Sequence, residues 1–197
     1  MSLSLRNICV FCGSVTGNHA SYAGAARGLG ATLVDQGIHL VYGGAKVGLM
    51  GIIADSVLDA GGHVIGVLPA VLASKEVAHP RLDELRLVNS MHERKDLMAE
   101  LSDAFIGLPG GLGTLDELLE MLTWNQLGIH KKPCGLLNVD GYFDPLLSML
   151  DRAVESGFLW SEHRAMMLVD ADPTRLVAKL RAYEPPNVER WVKPSEA

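Results

Sequence analysis

Short apolar runs alternate along this chain with longer stretches of helical periodicity, and this order constrains the fold more than any other feature. Six of the runs are predicted strands, at residues 8–11, 39–42, 63–68, 85–88, 104–108 and 133–139. They lack the polar/apolar alternation of half-exposed strands, which indicates that helices cover both faces of the sheet. Strands connected by helices run parallel. The sequence therefore predicts an α/β fold, a single-domain Rossmann-like parallel sheet sandwiched between helices.

The predicted helices occupy the stretches between these strands. The first ends near Gly37, and the next four span about residues 49–60, 92–101, 114–127 and 142–155. A last helix follows Asp172 and Pro173, a typical N-cap and first helical residue, and Pro185 and Pro186 end it. We therefore expect one domain over residues 1–184 and a polar tail over 185–197. Residues 69–81 lack periodicity and form a candidate active-site loop.

Charge and composition narrow the class of partner. The net charge is −6, which disfavours a long nucleic-acid partner but allows a local cationic pocket for one phosphate. No apolar run approaches the roughly 20 residues that span a bilayer, and the first six residues are too short for a signal peptide. Three cysteines cannot all pair with one another. We expect a cytoplasmic protein that uses neither membrane nor nucleic acid.

Cys9 and Cys12 form a C-x-x-C pair, a spacing that also occurs in redox and zinc sites. Here the pair lies on or beside the first predicted strand, where residues three apart face opposite sides of the sheet. Free cysteine is commonly buried, so both are predicted to be core thiols. No cluster of His, Cys and carboxylates has convincing metal-ligand spacing, so we expect no metal site.

Three predicted strands are followed by glycine-rich segments. These are Cys12-Gly13-Ser14, Tyr42-Gly43-Gly44 and Leu108-Pro109-Gly110-Gly111-Leu112-Gly113-Thr114. Glycine lets the backbone approach a phosphate closely, and the helix that follows presents free N–H groups. Tight turns without a ligand would explain one such segment, whereas three at the same edge of a sheet favour a nucleotide site. None matches G-x-G-x-x-G or G-x-x-x-x-G-K-[ST], so a mononucleotide is favoured over a dinucleotide or an ATPase site.

Arg94 is the first candidate for ligand contact. It precedes Leu97 and Met98 by three and four residues, so it extends the apolar stripe of its predicted helix. An inward-facing arginine requires an anionic partner, because an unpaired buried charge is very costly. That partner is either a ligand, which we favour, or a carboxylate of the core.

Glu117 is the second candidate, and its pattern has two explanations. Residues 114–117 fit a capping box, in which Thr114 and Glu117 would satisfy N–H groups at a helix start. Alternatively, Asp116, Glu117 and Glu120 crowd the start of a helix that follows a glycine-rich loop. Such carboxylates would repel a phosphate but suit a sugar that develops positive charge.

Two motifs in these segments resemble those of the Lonely Guy family. Its P-G-G-x-G-T-x-x-E signature is matched by Pro109-Gly110-Gly111-Leu112-Gly113-Thr114-Leu115-Asp116-Glu117, and its M-H-x-R-K motif by Met91-His92-Glu93-Arg94-Lys95. The order and separation of the two motifs also fit, and the match of elements extends from about residue 7 to residue 183. This is far more specific than a glycine loop alone.

The resemblance implies a cytokinin riboside 5′-monophosphate phosphoribohydrolase, which cuts the N-glycosidic bond of AMP or an N6-prenylated AMP without a cofactor. It implies Arg94 and Glu117 as the catalytic pair. Substrate contacts are implied for Glu76, Lys95, Thr123 and the loop residues Gly110, Gly111, Leu112, Gly113, Thr114, Leu115 and Asp116. The glycine-rich exits add Ser14, Gly43 and Gly44 as expected contacts. The resemblance also implies a homodimer, or a larger assembly, with active sites near the interface.

Two other functions fit parts of the sequence. A non-catalytic nucleotide sensor or carrier could use the same pocket and leave the nucleotide intact. Amino-acid decarboxylation with pyridoxal phosphate, an old label for this family, needs a lysine that forms a Schiff base. Only Lys46 in the glycine-rich region is a candidate for that role.

Overall fold

Seven parallel strands form one sheet in the computed structural model, which describes residues 3–73 and 77–186. In the order β4-β3-β2-β1-β5-β6-β7, the strands are β1 (Asn7–Phe11), β2 (His39–Tyr42), β3 (Val64–Pro69), β4 (Glu84–Val88), β5 (Ala104–Gly107), β6 (Cys134–Leu137) and β7 (Met167–Asp170). The helices are α1 (Ala20–Asp35), α2 (Gly48–Asp59), α3 (Ala70–Ala73), α4 (Met91–Leu101), α5 (Leu112–Leu127), α6 (Asp144–Glu155), α7 (Ser161–Arg164) and α8 (Pro173–Arg181). The predicted α/β fold is confirmed.

Helices pack on both faces of this sheet and divide the core into two layers. One layer contains buried residues of α1, α2 and α8, and the other contains those of α4 and α5 with α6 packed against it. Cys12 belongs to the first layer and Cys9 to the second. Both are free, buried thiols on opposite faces, as predicted from the period of a strand. Burial raises the pKa of both thiols, which makes them inert.

Some local predictions are wrong. The strand β7 was missed, because Met167 to Asp170 is a short edge strand whose place is fixed by pairing with β6 rather than by a pattern of its own. Residues 69–81 are not wholly irregular, since α3 lies within them and Ala78 forms a bridge with Ala45. The helix α5 begins at Leu112, two residues before its predicted start.

The sheet order brings the glycine-rich exits together. Because β1 lies between β2 and β5, the segments that follow these three strands share one edge of the sheet. Gly13 N donates to Pro109 O at 3.1 Å, and Leu49 N donates to Gly13 O at 3.0 Å. At Gly48, where φ is 58°, an added Cβ would overlap the backbone of Ser14. Close backbone contact thus ties the three exits into one surface.

Across the described ranges, no helix combines the length and apolar character needed to cross a membrane.

Candidate active site

Arg94 and Glu117 form an ion pair above the carboxyl ends of the central strands. Arg94 Nη1 lies 2.8 Å from Glu117 Oε1, and the two side chains are only 11% and 10% exposed. Arg94 Nε also donates to the backbone carbonyl of Val67 at 3.2 Å. The two residues chosen separately from the sequence are therefore each other's partners, and the anionic partner of Arg94 is a carboxylate of the protein, which was the less favoured of the two alternatives. A buried ion pair stabilises a fold only weakly, because both charges lose their hydration.

The start of α4 positions Arg94. Ser90 is the N-cap, and its hydroxyl accepts from Glu93 N while the Glu93 carboxylate accepts from Asn89 N. The residues of α4 that become buried are Lys95, Met98 and Ala99, so Lys95 also lies on the inward side of the helix. This inward direction is consistent with the substrate contact that the resemblance implies for Lys95.

Lys95 forms a second ionic cluster beside the first. Its Nζ lies 2.8 Å from Glu120 Oε2 and 3.4 Å from Asp116 Oδ2, and the hydrogen bond that the ammonium donates to the Glu120 carboxylate is the main reason the pKa of Lys95 is raised. The three carboxylates Asp116, Glu117 and Glu120 thus face two cations, which leaves one net negative charge. The carboxylates expected at this helix start therefore do lie close together, but the two cations neutralise most of their negative charge.

The capping-box explanation of Glu117 is wrong. The N-cap of α5 is Gly111, which has no side chain to accept a hydrogen bond, so Thr114 is the third residue of the helix. Glu117 then lies almost two turns inside α5, where it cannot reach an N–H group of the N-cap. Its carboxylate instead faces inward to Arg94.

Burial controls the acidity of Glu117. Loss of hydration raises the pKa of this carboxyl above the ordinary value of 4.5, and the guanidinium of Arg94 opposes that shift. The negative charges of Asp116 and Glu120 raise the pKa further. A carboxylate held in this way is a stronger base than an exposed glutamate, as a proton-accepting group in catalysis requires.

The loop before Glu117 exposes backbone N–H groups. The helix α5 makes its first backbone hydrogen bond from Leu115 N to Gly111 O, so the N–H groups that precede Leu115 have no intrahelical acceptor. Nothing lies within 4 Å of the position that a Cβ would take on Gly111 or on Gly113, which leaves open space there. A helix start of this form suits an anion such as phosphate.

The other predicted contacts are dispersed. Gly43 lies directly beneath Arg94, Gly44 lies against Leu68, and Ser14 is exposed on the neighbouring exit. Thr123 is elsewhere, because a residue six positions after Glu117 is about 9 Å further along α5 and rotated about 120° from it. Glu76 lies outside the described residues.

Tyr142 is a residue of this edge that the sequence reasoning missed. It follows β6, and its hydroxyl donates to Gly110 O at 2.6 Å. The rule that ligands bind beyond the carboxyl ends of parallel strands would have marked the exit of β6 as well. The segment that follows β6 has one glycine and no cluster of charged residues, so its composition did not mark it as a candidate ligand-binding segment.

Two observations bear on whether this site could bind pyridoxal phosphate or a metal ion. The side chain of Lys46 is exposed, whereas a Schiff-base lysine needs a pocket around its amine. Within residues 3–73 and 77–186, no group of three or more His, Cys, Asp or Glu side chains could hold a metal ion.

Gly43 gives a steric test of the site. A Cβ on this residue would overlap the Arg94 guanidinium and lie 3.0 Å from Met50 Sδ. Gly43→Ala should therefore displace Arg94 and lower kcat/KM for the nucleotide about 10- to 100-fold, while the fold persists. Gly24→Ala is the matched control, because an added Cβ there meets nothing within 4 Å. Equal kcat/KM for the two variants would show that the position of Arg94 does not matter.

Comparison with known proteins identifies the family. A family model described as "Possible lysine decarboxylase" matches residues 50–180. The cytokinin riboside 5′-monophosphate phosphoribohydrolase LOG of Oryza sativa subsp. japonica is 54% identical over 180 residues, covering 91% of this chain and 74% of that protein. An Arabidopsis thaliana protein of the same name, LOG3, is 53% identical over 180 residues, covering 91% and 84%.

Solved structures show the same fold at lower identity. A molybdenum cofactor binding protein from Rippkaea orientalis superposes with a TM-score of 0.68 at 24% identity, covering 92% of this chain and 98% of that one. The molybdenum cofactor carrier protein of Chlamydomonas reinhardtii gives 0.65 at 23%, covering 91% and 100%. At such identity only the architecture is shared. The relatives above half identity and the matched model show that this chain belongs to the Lonely Guy family of cytokinin riboside 5′-monophosphate phosphoribohydrolases.

Proposed function

We propose that this protein hydrolyses the N-glycosidic bond of an adenine-type nucleoside 5′-monophosphate, AMP or an N6-substituted AMP, to the free base and ribose 5-phosphate. The observation that carries the proposal is the buried Arg94–Glu117 pair beside the open amides of the α5 start. The named activity of the relatives supports the same reaction. Water is the only co-substrate, and the reaction uses no organic cofactor or metal.

Glu117 is the base of the proposed mechanism. As the bond between ribose C1′ and the base nitrogen breaks, its electron pair leaves with the base and positive charge develops on the sugar. The Glu117 carboxylate stabilises that charge and accepts a proton from the water that attacks C1′. The departing base takes up a proton from solvent and Glu117 releases to solvent the proton that it accepted, so the products are neutral base and ribose 5-phosphate and the carboxylate is regenerated.

The remaining residues bind and orient the nucleotide. The amides of Gly111 to Thr114 hold the 5′-phosphate, and Arg94 holds phosphate or ribose oxygens with charge-assisted hydrogen bonds. Lys95 and Asp116 line the same side, with Gly110, Leu112 and Leu115 shaping the loop. Gly43, Gly44 and Ser14 form the floor, and the family resemblance adds Glu76 as a substrate contact.

We also propose a homodimer in the cytoplasm. The direction of Thr123 supports it, because Thr123 is about 9 Å along α5 from Glu117 and rotated about 120° away from it, so it faces away from a substrate that touches Glu117 in the same subunit. Thr123 would then complete the partner's site. Light scattering of the purified protein should give twice the chain mass of 21.2 kDa, or a larger even multiple of it. A fully active monomer would contradict this part of the proposal.

Base release tests the function. AMP, N6-isopentenyl-AMP and their two nucleosides are incubated with the protein, and free base and ribose 5-phosphate are quantified by chromatography. We expect equal amounts of the two products from a monophosphate and much less base from a nucleoside. Nucleotide that binds and stays intact would identify a carrier or sensor instead. Release of inorganic phosphate would point to a different bond.

The raised pKa of Glu117 predicts the acid side of the pH profile. Only the ionised carboxylate accepts a proton, and a pKa raised by burial means that protonation begins at a higher pH than for a free glutamate. We therefore expect kcat to fall on acidification with a midpoint above 4.5. Circular dichroism at each pH verifies that the protein stays folded. A midpoint below 4.5 would contradict the assignment.

A further inference from the structure

Gly110 immediately precedes residues 111–114, whose amides are proposed to bind the phosphate, and it has close neighbours on three sides. An added Cβ would overlap Thr114 Oγ1, and it would lie 2.8 Å from Gly13 N. On the third side, the Tyr142 hydroxyl donates to Gly110 O at 2.6 Å. This is the one hydrogen bond on that carbonyl seen within the described parts of the chain, and it comes from a different strand exit.

A constrained turn presents Tyr142 to the loop. Asp140 has a φ of 50° and is the one non-glycine residue with positive φ in the described ranges, and it is followed by Gly141 at 71°. The Asn138 side chain clamps the turn, because its Oδ1 accepts from Phe143 N at 2.8 Å and its Nδ2 donates to Asp144 Oδ1 at 2.7 Å. Left-handed backbone in a non-glycine residue costs free energy and persists only where surrounding contacts impose it.

Aromatic contacts fix the Tyr142 ring. It meets Tyr22 edge to face at a centroid distance of 5.7 Å and Phe143 at 5.0 Å. Tyr142 is 39% exposed, so it is not a core residue whose burial alone would explain its position. Edge-to-face packing leaves the hydroxyl free to point at the loop.

The geometry of the peptide unit links this hydrogen bond to phosphate binding. The carbonyl of Gly110 and the N–H of Gly111 belong to one planar trans peptide, so they point in opposite directions. A hydrogen bond that fixes the carbonyl therefore also fixes the direction of the N–H. It also polarises the peptide, which strengthens the N–H as a donor.

We infer that Tyr142 is a positioning residue that orients and polarises the Gly111 amide for the 5′-phosphate of the substrate. It acts through Gly110 and does not touch the reacting atoms. This inference rests on the proposed function for the identity of the ligand, but its test does not require hydrolysis. Ribose 5-phosphate, the proposed product, carries the same phosphate and serves as the probe.

Calorimetric titration of Tyr142→Phe with ribose 5-phosphate tests the inference. The variant keeps the ring and removes the hydroxyl alone, and we expect a Kd about five- to tenfold higher than in the unmodified protein. In the ligand-free variant the backbone ¹⁵N–¹H resonance of Gly111 should also move, which a purely structural loss elsewhere would not cause. With AMP, KM should rise by a similar factor while kcat stays within about twofold.

Tyr183→Phe is the matched control. The Tyr183 hydroxyl accepts from Asn125 Nδ2 at 3.2 Å inside the core, away from the loop, so its removal should leave the Kd unchanged. An unchanged Kd in folded Tyr142→Phe, or an equal rise in both variants, would overturn the inference. A rise confined to Tyr142→Phe supports it even if no base is released from AMP, in which case only the proposed reaction fails.

Discussion

Glu117→Gln is expected to lower turnover of AMP by about 10²–10⁴-fold while nucleotide binding persists. Glutamine has nearly the same shape and can still accept a hydrogen bond from Arg94. It carries no negative charge to stabilise the developing cation, and it cannot take a proton from water. The loss should therefore appear in kcat, measured as adenine released per minute, and much less in the Kd for AMP.

Glu100→Gln is the control for this substitution. Glu100 lies on the exposed side of α4, and the change removes the same charge from the protein as a whole. Its turnover should equal that of the unmodified protein. If Glu117→Gln also kept full turnover, the ion pair with Arg94 would be only a structural contact.

Arg94→Ala is expected to lower kcat/KM for AMP by at least about 10²-fold, because the charge-assisted contacts that fix the substrate disappear. The kcat/KM for the monophosphate should fall more than the kcat/KM for the nucleoside, because the nucleoside lacks the phosphate. The variant should also lose about 3–5 kcal/mol of unfolding free energy, since Glu117 is left buried without its partner.

Two comparisons separate catalysis from stability in this variant. Arg152→Ala removes an exposed arginine from α6 and should change neither property. Combining Arg94→Ala with Glu117→Gln should restore part of the unfolding free energy, because no unpaired charge remains, but none of the activity. Denaturant unfolding and base release measure the two effects. Restored activity in the double variant would contradict the assigned roles.

The regular part of the fold could be predicted because its signals are local. Six of the seven strands and the N-cap at Asp172 follow from apolar runs, proline and capping residues. The strand β7 could not be predicted in this way, because its pairing partner, not its own sequence, defines it. The start of α5 was misplaced because Thr114 resembles an N-cap, while the actual N-cap is a glycine without a capping side chain.

The candidate site was predictable in its residues but not in its connections. The helical period and the glycine spacing marked Arg94, Gly43 and the loop before Glu117. Nothing local showed that Arg94 would pair with Glu117, that Lys95 would pair with Glu120, or that Tyr142 would reach Gly110. These contacts join separate strand exits, so they depend on strand order rather than on sequence spacing.

A crystal structure of Glu117→Gln with AMP bound tests the central claim most directly, because the slow variant traps the substrate. The distance from the residue 117 side chain to ribose C1′ is the decisive quantity. We expect C1′ at about 3–4 Å from that side chain, with the phosphate on the amides of Gly111 to Thr114. A ribose turned away from residue 117, in a protein whose unmodified form releases adenine, would contradict the account.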